Sequence, residues 1–292
     1  MTQHRDIARA ALWMTGAIVS FSSMAIAGRE AGLTLDTFEI MTSRSLIGLI
    51  IMMILLSALG RWHEVRFDNL GWHGLRNLWH FTGQNLWFYA VTVIPLAQVF
   101  TLEFTSPIWV VLLSPMLLGE RLTKVRLLSA IIGFVGILIV ARPEGTTLGP
   151  GVVTAASAAI FFALTMIFTR RLTRSETVLG ILFWLTLMQL GLGLVTVFYD
   201  GDFTLPGLTE LPWLLVIGCA GLAAHFCMTN ALGLAPAAIV APIDFVRLPL
   251  IAVLAFVIYG EVLNIWVFVG AAFIFGANYM NILNETRGNS AT

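Results

Sequence analysis

The feature that most limits what this chain can become is an apolar segment with an acid inside it, written twice. From Pro95 to Arg126 the sequence reads PLAQVFTLEFTSPIWVVLLSPMLLGERLTKVR. It is long enough to cross a bilayer, yet it carries Glu103, then Pro107 and Pro115, and stops at Gly119-Glu120-Arg121-Leu122. A second version starts at Pro236 (PAAIVAPIDFVRLPLIAVLAFVIYGEVLN), with Asp244 between Pro242 and the pair Arg247 and Pro249, and Gly260-Glu261 at its end. A shift of 141 residues lays Pro95, Ala97, Val99, Phe104, Leu113, Gly119, Glu120 and Leu122 on identical residues, and Glu103 on Asp244. An ionisable group inside hydrocarbon is costly and marks function by default; here it is repeated at one depth.

Those segments are not isolated. A spanning helix needs about 20 mostly apolar residues, and that ruler finds ten: 10–28, 38–59, 73–93, 96–118, 125–141, 150–169, 178–199, 211–232, 237–259 and 264–283. With 58% hydrophobic and only 11% charged residues in 292, against about 25% charged in a soluble domain, the chain cannot cover its exterior with water-compatible groups. It is expected to be an all-α integral membrane protein with the lipid bilayer as solvent. Arg5 and Arg9 before an apolar run ending Ala25-Ile26-Ala27 resemble a signal peptide. However, Ala17, Ile18, Met24 and Arg29 recur 142 residues on as Ala159, Ile160, Met166 and Arg171, which predicts a retained structural helix.

Charge sets orientation. With the N-terminus inside, the inner segments hold Arg5, Arg9, Arg61, Arg66, Arg76, Arg121, Lys124, Arg126, Arg170, Arg171, Arg174 and Arg287, while the outer loops hold only Arg29 and Arg142. Twelve against two is a positive-inside bias with both termini cytoplasmic. Five helices per half is odd, so residues 1–145 and 146–292 form two five-helix repeats of inverted topology, a build that places the substrate near the bilayer midplane between the repeats.

Few ionisable residues remain inside the spans: Arg44, His80, Glu103, His225, Asp244 and Arg247. Asp244 and Arg247 are three apart, so an intrahelical pair is expected. Glu103 has no such neighbour; it either pairs with Arg44 or Arg247 across the bundle or serves a substrate ammonium or a proton. In the third segment Asn77, His80, Gln84 and Trp87 form a stripe on one side of a helix, and its counterpart carries His225, Thr229 and Asn230. Each histidine is either an interhelical hydrogen-bonder or a ligand. Trp79, Trp87, Phe104 and Trp109 suit apolar or aromatic side chains of a substrate. Pro107, Pro115, Pro242 and Pro249 kink their helices beside the acids and suit a gate. Gly133, Gly136, Gly191 and Gly193 are read as close-packing positions.

Cys219 and Cys227 are about 12 Å apart along one helix, too far for a disulfide. Metal-ligand, P-loop and metalloprotease spacings and an arginine ladder are all missing from the sequence. No cofactor, metal or nucleic-acid partner is therefore expected, and an enzyme or a channel is a minor rival.

The sequence resembles the drug/metabolite transporter superfamily in its ten-helix EamA-type branch. The likeness is carried by Leu86–Leu122 with its G-E-R-L-T turn, by Ala130–Pro143 and by the echo from Asn230 to Gly276. Among characterised types it looks most like YddG-type amino-acid exporters, departing from the common pattern at Glu103. The resemblance implies an inverted five-plus-five fold in a bacterial inner membrane that moves small metabolites. Two acids against Arg44 and Arg247 make a near-neutral, dipolar lining that suits a zwitterionic amino acid exported by alternating access. The alternative is another solute class: a drug, vitamin, nucleoside or lipid-like metabolite.

Overall fold

The computed structural model describes residues 2–118, 124–141, 149–200, 204–235, 240, 243–262 and 264–288, and all its regular structure among them is helical. In chain order these are α1 (Thr2–Ala31), α2 (Thr37–Leu59), α3 (Leu70–Val93), α4 (Leu96–Glu103), α5 (Ser106–Leu118), α6 (Lys124–Ala141), α7 (Pro150–Leu172), α8 (Val178–Asp200), α9 (Leu211–Leu234), α10 (Arg247–Tyr259) and α11 (Ile265–Gly288), with short 3-10 turns at Trp62–Glu64 and Asp244–Val246. At 1.5 Å per residue the 23- or 24-residue helices span about 35 Å, enough for a hydrocarbon core of about 30 Å.

Local chemistry sets the ends. Asp36 caps α2 in a reciprocal box with Glu39: its carboxylate accepts from the Glu39 N–H at 2.8 Å, and Glu39 accepts from the Asp36 N–H at 3.0 Å. Pro150 opens α7, where a missing N–H costs nothing. Gly260 ends α10 in the left-handed conformation (φ 64°), which a glycine adopts without strain. That turn aims the next residue, Glu261, back across the bundle. The matching Gly119-Glu120 turn lies outside the described residues.

The fourth span departs from the expected continuous helix over 96–118: it divides between α4 and α5 at Phe104-Thr105. Pro107 has no N–H to give the Glu103 carbonyl, and the Ser106 hydroxyl takes its place at 2.6 Å. The Thr105 hydroxyl likewise donates to the Leu102 carbonyl at 2.7 Å. Hydroxyls thus satisfy backbone groups that lipid would leave bare. The second repeat breaks at the same depth, where Asp244–Val246 forms a 3-10 turn ahead of α10 and Pro249 withholds the N–H due to Phe245.

Helix pairing follows the repeat. The helix α1 packs on α9, and its repeat mate α7 packs on α3, the mate of α9; α2 meets α8, α4 meets α10 and α6 meets α11. Exchanging the halves carries the α1–α9 contact onto α7–α3 and the α2–α8 and α6–α11 contacts onto themselves, as a pseudo-two-fold axis between the repeats requires; the counterpart of α4–α10 would join α5 to 237–244, most of which lies outside the described residues. The apolar interior gathers Met14, Met24, Trp87, Phe88 and Phe100 between the halves. Outward-facing Ile54, Leu138, Val195, Phe198 and Val257 present an apolar exterior, as lipid requires. Five described helices, Ala8–Ala31, Thr37–Leu59, Pro150–Leu172, Val178–Tyr199 and Leu211–Leu234, have spanning length and hydropathy on their own. The polar stripe lowers α3 below that level, and the break leaves α4 and α5 each too short.

Of the glycines expected at close contacts, Gly136 lets α6 approach α11: a Cβ there would sit 2.7 Å from the Gly270 carbonyl oxygen. Gly191 departs from expectation and faces open space. Gly136→Leu is therefore expected to overpack the α6–α11 contact by about 1–3 kcal/mol, lowering the melting temperature and the monodisperse yield in detergent. Gly191→Leu, measured beside it, should leave both unchanged.

Candidate functional site

One cavity lies between the halves at the level of the two helix breaks. From the first half it draws residues of α1, α3, α4 and α5, and from the second residues of α7 and α9 with Val240, Asp244 and Arg247. Of the residues singled out from the sequence, His80, Gln84, Trp87, Glu103, Phe104, His225, Thr229, Asp244 and Arg247 line it, with Pro107 beside them.

Its fixed point is Arg247. The guanidinium Nη2 donates to Glu103 Oε1 at 2.7 Å and to Asp244 Oδ2 at 2.5 Å, so one cation from the second repeat holds the matching acids of both. Glu103 completes its contacts by accepting from the indole N–H of Trp87 at 2.7 Å. The Arg247 guanidinium also stands over the rings of Phe21, Phe100 and Phe104, at 4.9, 4.8 and 5.3 Å from their centroids, where the ring quadrupoles favour a cation. Its side chain is 2% exposed, those of Glu103 and Asp244 13% and 11%. The acids are the more open members of the group, and Asp244 Oδ1 is buried without a partner.

The third-segment stripe faces the cavity, with Arg76 in the place expected of Asn77. Arg76, His80, Gln84 and Trp87 all line the cavity. Arg76, assigned by sequence to the inner basic tally, is 1% exposed inside the bundle. Its spacing of four from His80 was the available signal. Asn77 turns instead to α8, donating to the Trp184 carbonyl at 3.2 Å, while Gln189 donates to the Asn77 carbonyl at 2.8 Å. The rings of His80 and His225 meet edge-on with centroids 4.6 Å apart. His80 Nδ1 and Nε2 and His225 Nε2 are buried without hydrogen-bond partners. The apolar wall is Phe21, Phe104 and Phe162 with Met14, Met24, Met166 and Met228. The repeat pair Met24 and Met166 was visible in the sequence, but its place in the cavity was not.

Four residues expected at the substrate, Trp79, Asn230, Arg44 and Trp109, lie elsewhere. Trp79 stacks on Phe161 with ring centroids 5.9 Å apart, because position 79 is turned off the 76/80/84/87 face. Asn230 folds back to the Phe226 carbonyl at 2.8 Å, a local bond that withdraws its amide. Arg44 stands behind the wall, donating to Gln84 Oε1 at 3.0 Å. Trp109 packs against Phe134. Pro115 falls within α5 and Pro249 within α10, while Pro242 lies outside the described residues. With Arg44 withdrawn and Arg76 added, the lining still holds two arginines and two acids. The charge is now divided: Arg76 lies towards the start of α3, and the acids with Arg247 lie towards its end.

Beyond the acidic end the helices are tied together. Glu261, aimed by the Gly260 turn, pairs with Arg29 and accepts from the Leu96 N–H at the start of α4 at 3.0 Å. Arg29 also donates to the Ile94 carbonyl at 3.1 Å, so α1, α3, α4 and α10 meet at one point. The empty space between the lining side chains totals ≈ 860 Å³ including its mouth, but the centre of a water-sized sphere reaches only ≈ 80 Å³ of it. The cavity is narrow in this state.

The sequence pattern of the EamA-like transporter family matches residues 8–142 and 149–283, one copy per half. The chain is similar to a riboflavin transporter of Brucella anthropi, 28% identical over 285 residues, which cover 96% of this chain and 100% of that protein. It is also similar to an S-adenosylmethionine uptake transporter of Rickettsia bellii, 25% identical over 95% of this chain and 94% of the other. A riboflavin transporter of Vibrio cholerae is 25% identical over 90% and 89%. A solved crystal structure shares the fold with a TM-score of 0.69, covering 95% of this chain and 98% of its own at 21% identity.

Removing Arg247 leaves two buried acids facing each other, whereas neutralising Glu103 leaves the Arg247–Asp244 pair. Arg247→Met is therefore expected to destabilise by about 3–5 kcal/mol and Glu103→Gln by clearly less. Adding Glu103→Gln and Asp244→Asn to Arg247→Met should restore much of the loss. Thermal unfolding of the purified variants in one detergent reads all three; equal melting temperatures would remove Arg247 from the centre of the site.

Proposed function

The chain belongs to the EamA-like transporter family, and from that premise we propose that it carries a metabolite with a flat heteroaromatic ring, of the vitamin or nucleoside class, by alternating access. The observation that carries this reading is the cavity between the halves at the level of the helix breaks, in which an aromatic and methionine wall faces a polar side of His80, Gln84 and His225. Rings stack on Trp87, Phe104 and Phe162 through their faces. Methionine adapts its shape to whatever is bound. The histidines and Gln84 meet the hydrogen-bonding edge that a heteroaromatic ring has and an aliphatic side chain lacks.

The amino-acid reading rested on two acids against Arg44 and Arg247 and on Trp79, Trp87, Phe104 and Trp109 as receptors for an apolar side chain. Of these, Arg44, Trp79 and Trp109 stand away from the cavity, while Trp87, Glu103, Phe104, Asp244 and Arg247 line it. Relatives that span nearly the whole chain include riboflavin and S-adenosylmethionine transporters, which favours the larger ring substrate over a free amino acid. In this proposal residues 1–145 and 146–292 are the two halves that rock about Glu103, Arg247 and Asp244. The protein sits in a bacterial plasma membrane with both termini in the cytoplasm, as the basic residues favour.

In proteoliposomes, saturable uptake is expected for riboflavin, S-adenosylmethionine or adenosine, with free amino acids competing weakly. Transport of amino acids alone would overturn the reading. Trp87→Ala should lower transport of the ring substrate about tenfold or more, in line with roughly 1–3 kcal/mol for a ring stacked on an aromatic residue. The variant's melting temperature separates that loss from misfolding.

A further inference from the structure

Arg76 has a guanidinium that nothing in the described protein neutralises. It is 1% exposed, yet its hydrogen bonds go only to neutral acceptors: Nε donates to Thr169 Oγ1 at 3.1 Å and Nη1 to Asn77 Oδ1 at 3.0 Å. Its Nη2 has no protein partner among the described residues, and Arg76 lines the cavity. Close behind, Arg44 is 5% exposed and among the described residues donates only to Gln84 Oε1 and the Met41 sulfur. Burying one such charge without a counter-ion is costly, and burying two together is worse.

Three further polar atoms point to what is missing. His80 Nδ1 and Nε2 and His225 Nε2 are buried and unpartnered, in rings 1% and 6% exposed that line the same part of the cavity. The Arg76 guanidinium, with a second one behind the wall, and the unpaired imidazole nitrogens beside it form a donor set without its acceptor among the described residues. At the other end of the cavity the arrangement is reversed, with two carboxylates sharing Arg247. Arg247 therefore has its counter-ions within the protein, whereas Arg76 does not.

We infer that Arg76, with His80 and His225 beside it and Arg44 behind, is an anion subsite of the transport cavity that takes a phosphate or carboxylate carried by the substrate. The inference deepens the ring-substrate reading by adding a negatively charged group to the ring. A planar guanidinium held at Nε and Nη1 keeps its remaining N–H groups in a fork suited to two oxygens. A ring between the methionine and aromatic walls would then place its anionic tail towards the start of α3 and its ring towards Trp87.

The test compares ligand pairs that differ in the anion alone, on the purified full chain in detergent: flavin mononucleotide against riboflavin, S-adenosylmethionine against its decarboxylated form, and phenyl phosphate against phenol. Binding is read from tryptophan fluorescence and from the shift in melting temperature. The anionic member of a pair is expected to bind roughly tenfold or more tightly. Arg76→Gln should narrow that gap to about twofold while leaving the neutral member unchanged, and Arg76→Lys should keep part of it. Because its partners are neutral, Arg76→Gln is expected to keep or raise the melting temperature of the empty protein; a lower melting temperature with the gap intact marks a structural arginine and overturns the inference. No gap in the wild-type protein overturns it without any variant. If phenyl phosphate shows the gap while no heteroaromatic compound binds, the anion subsite stands and the ring reading fails. If the ring pairs bind equally well, the ring reading stands and the subsite fails.

Discussion

Everything at the centre of this protein depends on one guanidinium shared by two carboxylates. In a low-dielectric interior a lone acid at the depth of Glu103 or Asp244 would give up its charge or pull the helix out of place. Arg247 lets both remain, since each accepts one hydrogen bond from it and three aromatic rings surround its face. The helix breaks sit at the same level for a connected reason. A break frees backbone carbonyls and exposes polar groups, and those are tolerated in a membrane only where they line a cavity or find partners. Ser106 and Thr105 supply partners on the first side, and the charged group makes the surrounding space polar enough for the rest.

The inverted repeat produces symmetry of shape without symmetry of chemistry. Arg29 and Arg171 occupy matching positions, as do Met24 and Met166. Arg29 is locked into Glu261 and the start of α4, whereas Arg171 lies over the ring of Trp72, 3.9 Å from its centroid. A transporter needs this kind of inequality. Two conformations of equal architecture become interchangeable states when the halves swap environments, and each state is held by contacts the other lacks.

Much of this was legible in the sequence because membrane folding is strongly constrained. Ten apolar runs, the 141-residue echo, the depth of the paired acids and the stripe from His80 to Trp87 all follow from hydropathy and spacing. What escaped shares one cause: position along a helix is visible in sequence, but the direction a side chain faces across the bundle is not. Trp79 and Asn230 lie at the right depth and turn away. Arg76 looked like a cytoplasmic anchor because its sign and its place near a span end fitted that role equally well. The break at Phe104 was hidden because a proline in a spanning helix more often bends than divides it; the hydroxyls of Thr105 and Ser106, which make the division tolerable, were the overlooked clue.

The tightness of the cavity bears on how transport proceeds. A flavin or nucleoside fills several hundred Å³, in the usual range for ligand sites, while freely accessible space here is ≈ 80 Å³. The rigid elements, Arg247 with its acids and the Arg29–Glu261 tie, lie at one end. The adaptable ones, Met14, Met166 and Met228, line the walls drawn from α1, α7 and α9. Enlargement therefore falls on the methionine walls, because breaking the buried ion pairs would cost several kcal/mol, whereas a methionine changes rotamer at little expense. In the alternating-access reading proposed above, a substrate entering along those walls would gain contact area as they move apart and would reach Arg247 and its two acids last. Arg247 joins α10 to α4 through Glu103, so loosening that pair would couple a bound substrate to the exchange of the two halves.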